Sequence, residues 1–208
     1  MPSPMTILLI ATAAILWFSG LSHVLLFPFR RKDLLNTLFG AMCLLGGGYA
    51  MACLVGYRAA SVPDALFASQ WSTSLSRLIL AILPWFIGLY AGVRPKRFLI
   101  VLSTAFLVHG VINLFSGQGL LFSHITGLVH HETPWGEPLA ALAGKVSVVT
   151  YGVYLLHLTV IGFAAYCGYR LIRCGLRGRG WRLLILVVFA IVAFFNDTLL
   201  DAGKIHSI

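Results

Sequence analysis

Long apolar runs, each closed by charged or turn-forming residues, organise this chain. The first extends from residue 5 to residue 27 and ends at Pro28 and Arg30-Arg31-Lys32. Asp33 and Asn36 are placed to cap a second run, 34–55, which carries Gly46-Gly47-Gly48 and Ala52. Small residues of this kind let helices approach closely in lipid. Pro63-Asp64 opens a third run, 65–93, which stops before Arg94-Pro95-Lys96-Arg97. Its two halves differ: Gln70, Ser72, Thr73, Ser74, Ser76 and Arg77 precede an apolar stretch, 78–90, in which Pro84 predicts a kink. A fourth run covers 98–115 and a fifth 146–169. The sixth, 183–195, lies between Arg179 and Arg182 on one side and Asn196-Asp197 on the other. A helix of roughly 20 residues crosses the bilayer core, so each run predicts a membrane span, the sixth a short one. Residues 116–139, with Gly, Pro, Trp and three histidines, predict a long loop, and 198–208 has the composition of a water-exposed connection.

Composition supports the same class. With 59% hydrophobic and 10% charged residues and a mean hydropathy of +0.92, the chain is too apolar for a soluble domain. The predicted fold is all-α: one polytopic transmembrane helical bundle, residues 1–208, with six spans. No Lys or Arg precedes the first apolar run and no small-residue cleavage site closes it, so it is a span rather than a signal peptide.

Charge sets the orientation. The connections after spans one, three and five hold Arg30, Arg31 and Lys32; Arg94, Lys96 and Arg97; and Arg170, Arg173, Arg177, Arg179 and Arg182, which is eleven of the 15 basic residues. Arg58, Lys145 and Lys204 fall on the other side, with the acids Asp64, Glu132, Glu137, Asp197 and Asp201. The positive-inside rule then puts the N-terminus outside and the basic loops in the cytoplasm. Orientation accounts for the net charge of +9 without a nucleic-acid partner, and the lipid bilayer with its anionic headgroups is the expected surroundings.

An even number of spans leaves the C-terminus outside, and a seventh would return the chain to the cytoplasm. The stretches RRKDLLNTLFGAMCLL, LPWFIGLYAGVRPKR, GLRGRGWRLL and FFNDTLLDAG resemble the N-terminal seven-helix membrane sensor region of bacterial sensor histidine kinases and diguanylate cyclases. This chain departs from that pattern in lacking the seventh helix and any kinase or cyclase sequence. The resemblance implies a bacterial inner-membrane protein with a periplasmic N-terminus. It further implies a signal-sensing region, in which helix movement caused by a ligand or the bilayer passes to a cytoplasmic output domain.

Ionisable residues inside spans are costly and mark cavities or partners. Gln70, Thr73, Ser74 and Arg77 share helical spacings of three, four and seven, and with Asn113 they form a candidate pocket for a small molecule from the outer side. Arg77 either receives an anionic or carbonyl-bearing group there, or reaches the headgroups or pairs with Asp64 or Asp197. His109 lies twelve residues beyond Arg97, roughly 18 Å along a helix, and His157 thirteen before Arg170, roughly 20 Å. At a shared depth they either ligate a haem b, as two neutral imidazoles on neighbouring helices do, or hydrogen-bond neighbouring helices with Asn113 and Thr159 as partners.

In the outer loop, His124, His130, His131 and Glu132 offer zinc or copper ligands but match no established spacing; the alternative is a lid over the outer mouth. Cys43, Cys53, Cys167 and Cys174 avoid the outer loops, so structural disulfides are not expected. The acids are few and scattered, and no nucleophile or phosphate-binding motif is present, so catalytic activity is not expected. Besides the sensor, two functions fit: a haem-binding electron-transfer subunit, and an accessory subunit docking onto a larger membrane complex through the Gly-rich face of span two. A homodimer is a further expected assembly.

Overall fold

The computed structural model describes residues 3–25, 34–132 and 136–201; of His131 and residues 196–201 it describes the backbone alone. Asp33 lies outside the described residues. Six helices are present: α1 (Pro4–Leu25), α2 (Leu34–Tyr57), α3 (Val62–Ala91), α4 (Lys96–Phe115), α5 (Val148–Arg173) and α6 (Arg177–Asp201). All six contain a stretch long and apolar enough to cross a membrane.

Three sequence expectations are corrected. Within 116–139 the expected loop contains a hairpin: β1 (Phe122–Glu132) pairs antiparallel with β2 (Pro138–Val146), in a register from Phe122 opposite Val146 to Glu132 opposite Pro138. The β-formers Ile125, Thr126 and Val129 favour this extended backbone. The fifth helix therefore starts at Val148, not Val146, where the Ser147 side chain accepts from the Val149 N–H. The sixth runs from Arg177 through Asp201, so Thr198 to Asp201 continue the helix rather than form a connection.

The third helix starts at Val62, with Ser61 as its cap: Ser61 Oγ accepts from the Asp64 N–H and donates to Asp64 Oδ2 at 2.6 Å. The helix continues past Pro84 to a left-handed Gly92. Ser103 of α4 helps hold that region. Its hydroxyl donates to the Ala81 carbonyl at 2.6 Å and accepts from Trp85 Nε1 at 2.8 Å, close to the helical bond that Pro84 removes.

Glycines set how closely the helices approach. A Cβ at Gly20 would lie 2.9 Å from the Gly40 carbonyl oxygen, and one at Gly47 would lie 2.5 Å from Trp17. Gly48 and Gly56 face Leu75 and Ala68 of α3. The Gly-rich face of α2 is thus packed within this chain. Helix α3 is the hub: it packs on α2, α4, α5 and both strands, while α1 packs on α2 and α6 on α5.

The core is divided along the bundle. At the end opposite the hairpin, Ile87, Leu99, Phe163, Cys167 and Leu183 cluster; Ala81, Leu102, Phe106 and Val160 occupy the middle. Ala140 of β2 joins Ala59 and Ala65, seating the hairpin on the α2–α3 turn. The Glu137 carboxylate accepts from the Met5 N–H at 3.3 Å, supplying an acceptor to the open first turn of α1. Phe18, Val101, Leu155 and Phe189 are exposed on the outer faces, as a bundle solvated by lipid requires.

Candidate functional site

Polar residues on α3 recur at spacings of three and four, which places Ser72, Thr73, Ser76 and Arg77 on one stripe. The stripe faces a cleft of about 500 Å³. Thr150, Tyr154 and His157 line it from α5, Ala190, Ala193 and Phe194 from α6, and Tyr49 from α2. Leu80, Leu83, Val160 and Ile161 form its deeper, apolar part.

Arg77 lies fifteen residues into α3, roughly 22 Å from its start and so near mid-helix. Its Nη1 is 2.9 Å from Nε2 of His157. The other ring nitrogen of His157, Nδ1, lies 2.8 Å from the Val153 carbonyl. A carbonyl only accepts, so Nδ1 carries the proton and Nε2 receives the bond from Arg77. The imidazole is held further by the Phe106 ring, edge-on at 5.7 Å, and by Phe194 at 6.1 Å. The cleft therefore combines a fixed cation, an oriented neutral imidazole and several hydroxyls.

His109 of α4 has Arg77 and His157 as neighbours, and its buried Nδ1 has no hydrogen-bond partner among the described residues. The two candidate haem ligands are thus gathered around Arg77, with both nitrogens of His157 engaged by protein groups. The partners expected for them lie elsewhere. Thr159 donates to Leu155 of its own helix, and Asn113 bonds to α3.

Of the residues expected to form the ligand pocket, Thr73 and Arg77 line the cleft. Gln70, Ser74 and Asn113 instead form the seam between α3 and α4. The Asn113 amide donates to the Gln70 carbonyl and to Ser74 Oγ, both at 3.0 Å, and its oxygen accepts from the Leu120 N–H at 2.9 Å. Ser74 donates to the Gly110 carbonyl at 2.9 Å, and Gln70 Nε2 donates to the Ser116 carbonyl. Asn113 is 1% exposed. These bonds satisfy polar groups that lipid could not. Arg77 and the seam are adjacent, since a Cβ at Gly110 would lie 3.2 Å from the Arg77 Cβ.

Thr150, Tyr154 and Phe194 were not singled out in the sequence, where nothing relates them to a polar stripe on α3. Ser72 and Ser76 carried a signal, their spacing with Thr73 and Arg77.

The hairpin draws the candidate metal ligands out along one strand. His124 pairs with Lys145, His130 with Ala140, His131 with Leu139 and Glu132 with Pro138. His124 and His130 are six positions apart, roughly 20 Å of extended chain. No group of three His, Cys, Asp or Glu able to hold a metal ion occurs among the described residues. Cys43 and Cys167 are buried and Cys174 is exposed; none of the four cysteines is in a disulfide.

The fold and the cleft together support an integral membrane protein: a six-helix bundle with a polar cleft among α2, α3, α5 and α6. Compared with known proteins, the chain matches no family model, no characterised protein and no solved structure.

Proposed function

We propose that this chain is the signal-receiving region of a membrane sensor, and that a small anionic or carbonyl-bearing molecule enters the cleft and is held by Arg77. The observation that carries this reading is the setting of Arg77, in a cleft that it shares with Ser72, Thr73, Ser76, Thr150, Tyr154 and His157. Polar groups are expensive within a bilayer, and their convergence from two helices on one hollow fits a binding site better than a lipid-facing surface. The guanidinium supplies charge, and the hydroxyls supply further hydrogen bonds to an oxyanion or carbonyl. Because α6 forms one wall, a ligand that prefers one placement of α6 over another moves it. Only that difference in affinity drives the movement.

In this reading the N-terminus and the hairpin are outside, in the periplasm of a bacterial inner membrane. The α3–α4 and α5–α6 connections, with Arg94, Lys96, Arg97, Arg170, Arg173, Arg177, Arg179 and Arg182 at or beside them, face the cytoplasm. The ligand enters from the outer side, and a following helix carries the movement to an output domain.

A thermal-shift screen of small carboxylates and carbonyl compounds on the wild-type protein and on Arg77→Ala tests the site. At least one compound is expected to stabilise the wild type and to lose its effect in the variant. A screen without hits, or with hits that stabilise both proteins equally, removes the pocket. The intact mass of the native gene product tests the sensor role, which requires an output domain beyond this sequence.

A haem b electron-transfer subunit is the second reading, favoured by the unpartnered Nδ1 of His109. It requires His157 Nε2 to leave Arg77 for iron. A Soret band lost on His109→Ala supports it, and a colourless native protein ends it.

A further inference from the structure

A second hollow, sharing no lining residue with the Arg77 cleft, runs along the contact between α2 and α3. Its membrane part is a groove of about 210 Å³ lined by apolar side chains and a glycine: Gly48, Ala52 and Val55 of α2, and Phe67, Ala68 and Trp71 of α3 among them. Small residues form its floor. A Cβ at Gly48 would meet Leu75 at 3.4 Å and one at Gly56 would meet Ala68 at 3.3 Å, so the helices touch there. Val55, Phe67 and Trp71 form its exposed rim.

Val55 and Phe67 also line a wider hollow of about 450 Å³ at the hairpin end of the two helices, where Arg58 and Asp64 are found. The apolar groove therefore leads to one cation and one anion. From Gly48 to Arg58 is ten residues, roughly 15 Å of helix, which is half of the roughly 30 Å hydrocarbon core and so the depth of one leaflet.

We propose that this groove holds one acyl chain of a phospholipid from the hairpin-side leaflet, with the phosphate at Arg58 and a primary ammonium at Asp64. The charges select the headgroup. A phosphodiester alone is attracted by Arg58 and repelled by Asp64, whereas a headgroup carrying an amine beyond the phosphate satisfies both. A primary ammonium donates hydrogen bonds to a carboxylate, which a quaternary one does not. Asp64 is oriented for this by Ser61, whose hydroxyl donates to one carboxylate oxygen. The occupant is therefore a phosphatidylethanolamine-type lipid. The site depends neither on the ligand proposed for Arg77 nor on which leaflet is the outer one.

The test is native mass spectrometry of the full chain, equilibrated with an equimolar mixture of ethanolamine, choline and glycerol phospholipids that share the same acyl chains. One ethanolamine lipid per chain is expected to be retained in preference to the other two. Arg58 is exposed, so Arg58→Ala leaves the packing in place; it is expected to lower retention about tenfold, while Arg58→Lys keeps most of it. Asp64→Asn is expected to abolish the preference for ethanolamine over choline without releasing the lipid. Ala52→Leu, which fills the groove, is expected to reduce retention of all three. Preferred retention of the glycerol lipid by the wild type overturns the proposal. So does retention that neither Arg58→Ala nor Ala52→Leu changes.

Discussion

Arg77 Nη1 and His157 Nε2 lie 2.9 Å apart, joining the middle of α3 to α5 beside the cleft. The bond fixes the imidazole from one side while the Val153 carbonyl fixes it from the other.

His157→Phe is expected to keep the ring volume and lose the bond to Arg77. Hydrogen bonds between membrane helices are worth on average about 0.6 and at most about 1.7 kcal/mol, so a loss in that range is predicted. Reversible unfolding in mixed micelles measures it, and a variant as stable as the wild type would show that the bond contributes nothing to folding.

Asn113→Ala removes three hydrogen bonds and leaves the Leu120 N–H and the Gln70 carbonyl without this side chain. The expected cost is about 2–3 kcal/mol, the scale of stranding a buried polar group. Hydrogen exchange should rise first around Leu120 and Leu121, where α4 gives way to the hairpin; protection unchanged there contradicts the seam.

Gly180→Ala and Gly178→Ala form a matched pair. A Cβ at Gly180 would lie 2.5 Å from Ile172 Cγ1 and 2.7 Å from the Gly168 carbonyl oxygen, whereas at Gly178 nothing lies within 4 Å. The first is expected to separate α5 from α6 and cost about 1–3 kcal/mol, the usual range for overpacking. The second is expected to be neutral or slightly stabilising. Equal melting temperatures for the two variants would exclude the close crossing.

Ser103→Ala strands the Trp85 indole N–H and frees the Ala81 carbonyl near Pro84. A loss of about 1–2 kcal/mol is predicted, with a shift in tryptophan emission. Emission and stability both unchanged would mean that the hydroxyl does not bridge them.

Orientation is open to a direct check through Cys174, the exposed cysteine at the end of α5. With the N-terminus outside, a membrane-impermeant maleimide should label it in inside-out vesicles and not in right-side-out ones. Labelling with the reverse preference would invert the proposed topology.

The sequence by itself determined six helices long and apolar enough to cross a membrane. Apolar runs long enough to cross a bilayer leave a chain few alternatives, and edges such as those at Pro63 and Arg94 are marked in the sequence, whereas α6 starts at Arg177, six residues before the apolar run at 183. It also marked Arg77 and its serine and threonine neighbours, because charge inside a span is costly wherever the helix packs. It did not reveal the hairpin, since the glycines and histidines of 116–139 obscured the strand-forming Ile125, Thr126 and Val129. Nor did it separate Thr73, which lines the cleft, from Ser74, which bonds to α4. Adjacent residues on a helix differ by about 100° in direction. In lipid the packed and the lipid-facing sides of a helix are both largely apolar, so hydropathy does not say which face meets which neighbour. Only the tertiary structure decided that His157 turns to Arg77 and that Asn113 locks α4 to α3. Those partners are 80 and about 40 residues apart in the chain, and only packing brings their donors and acceptors into reach.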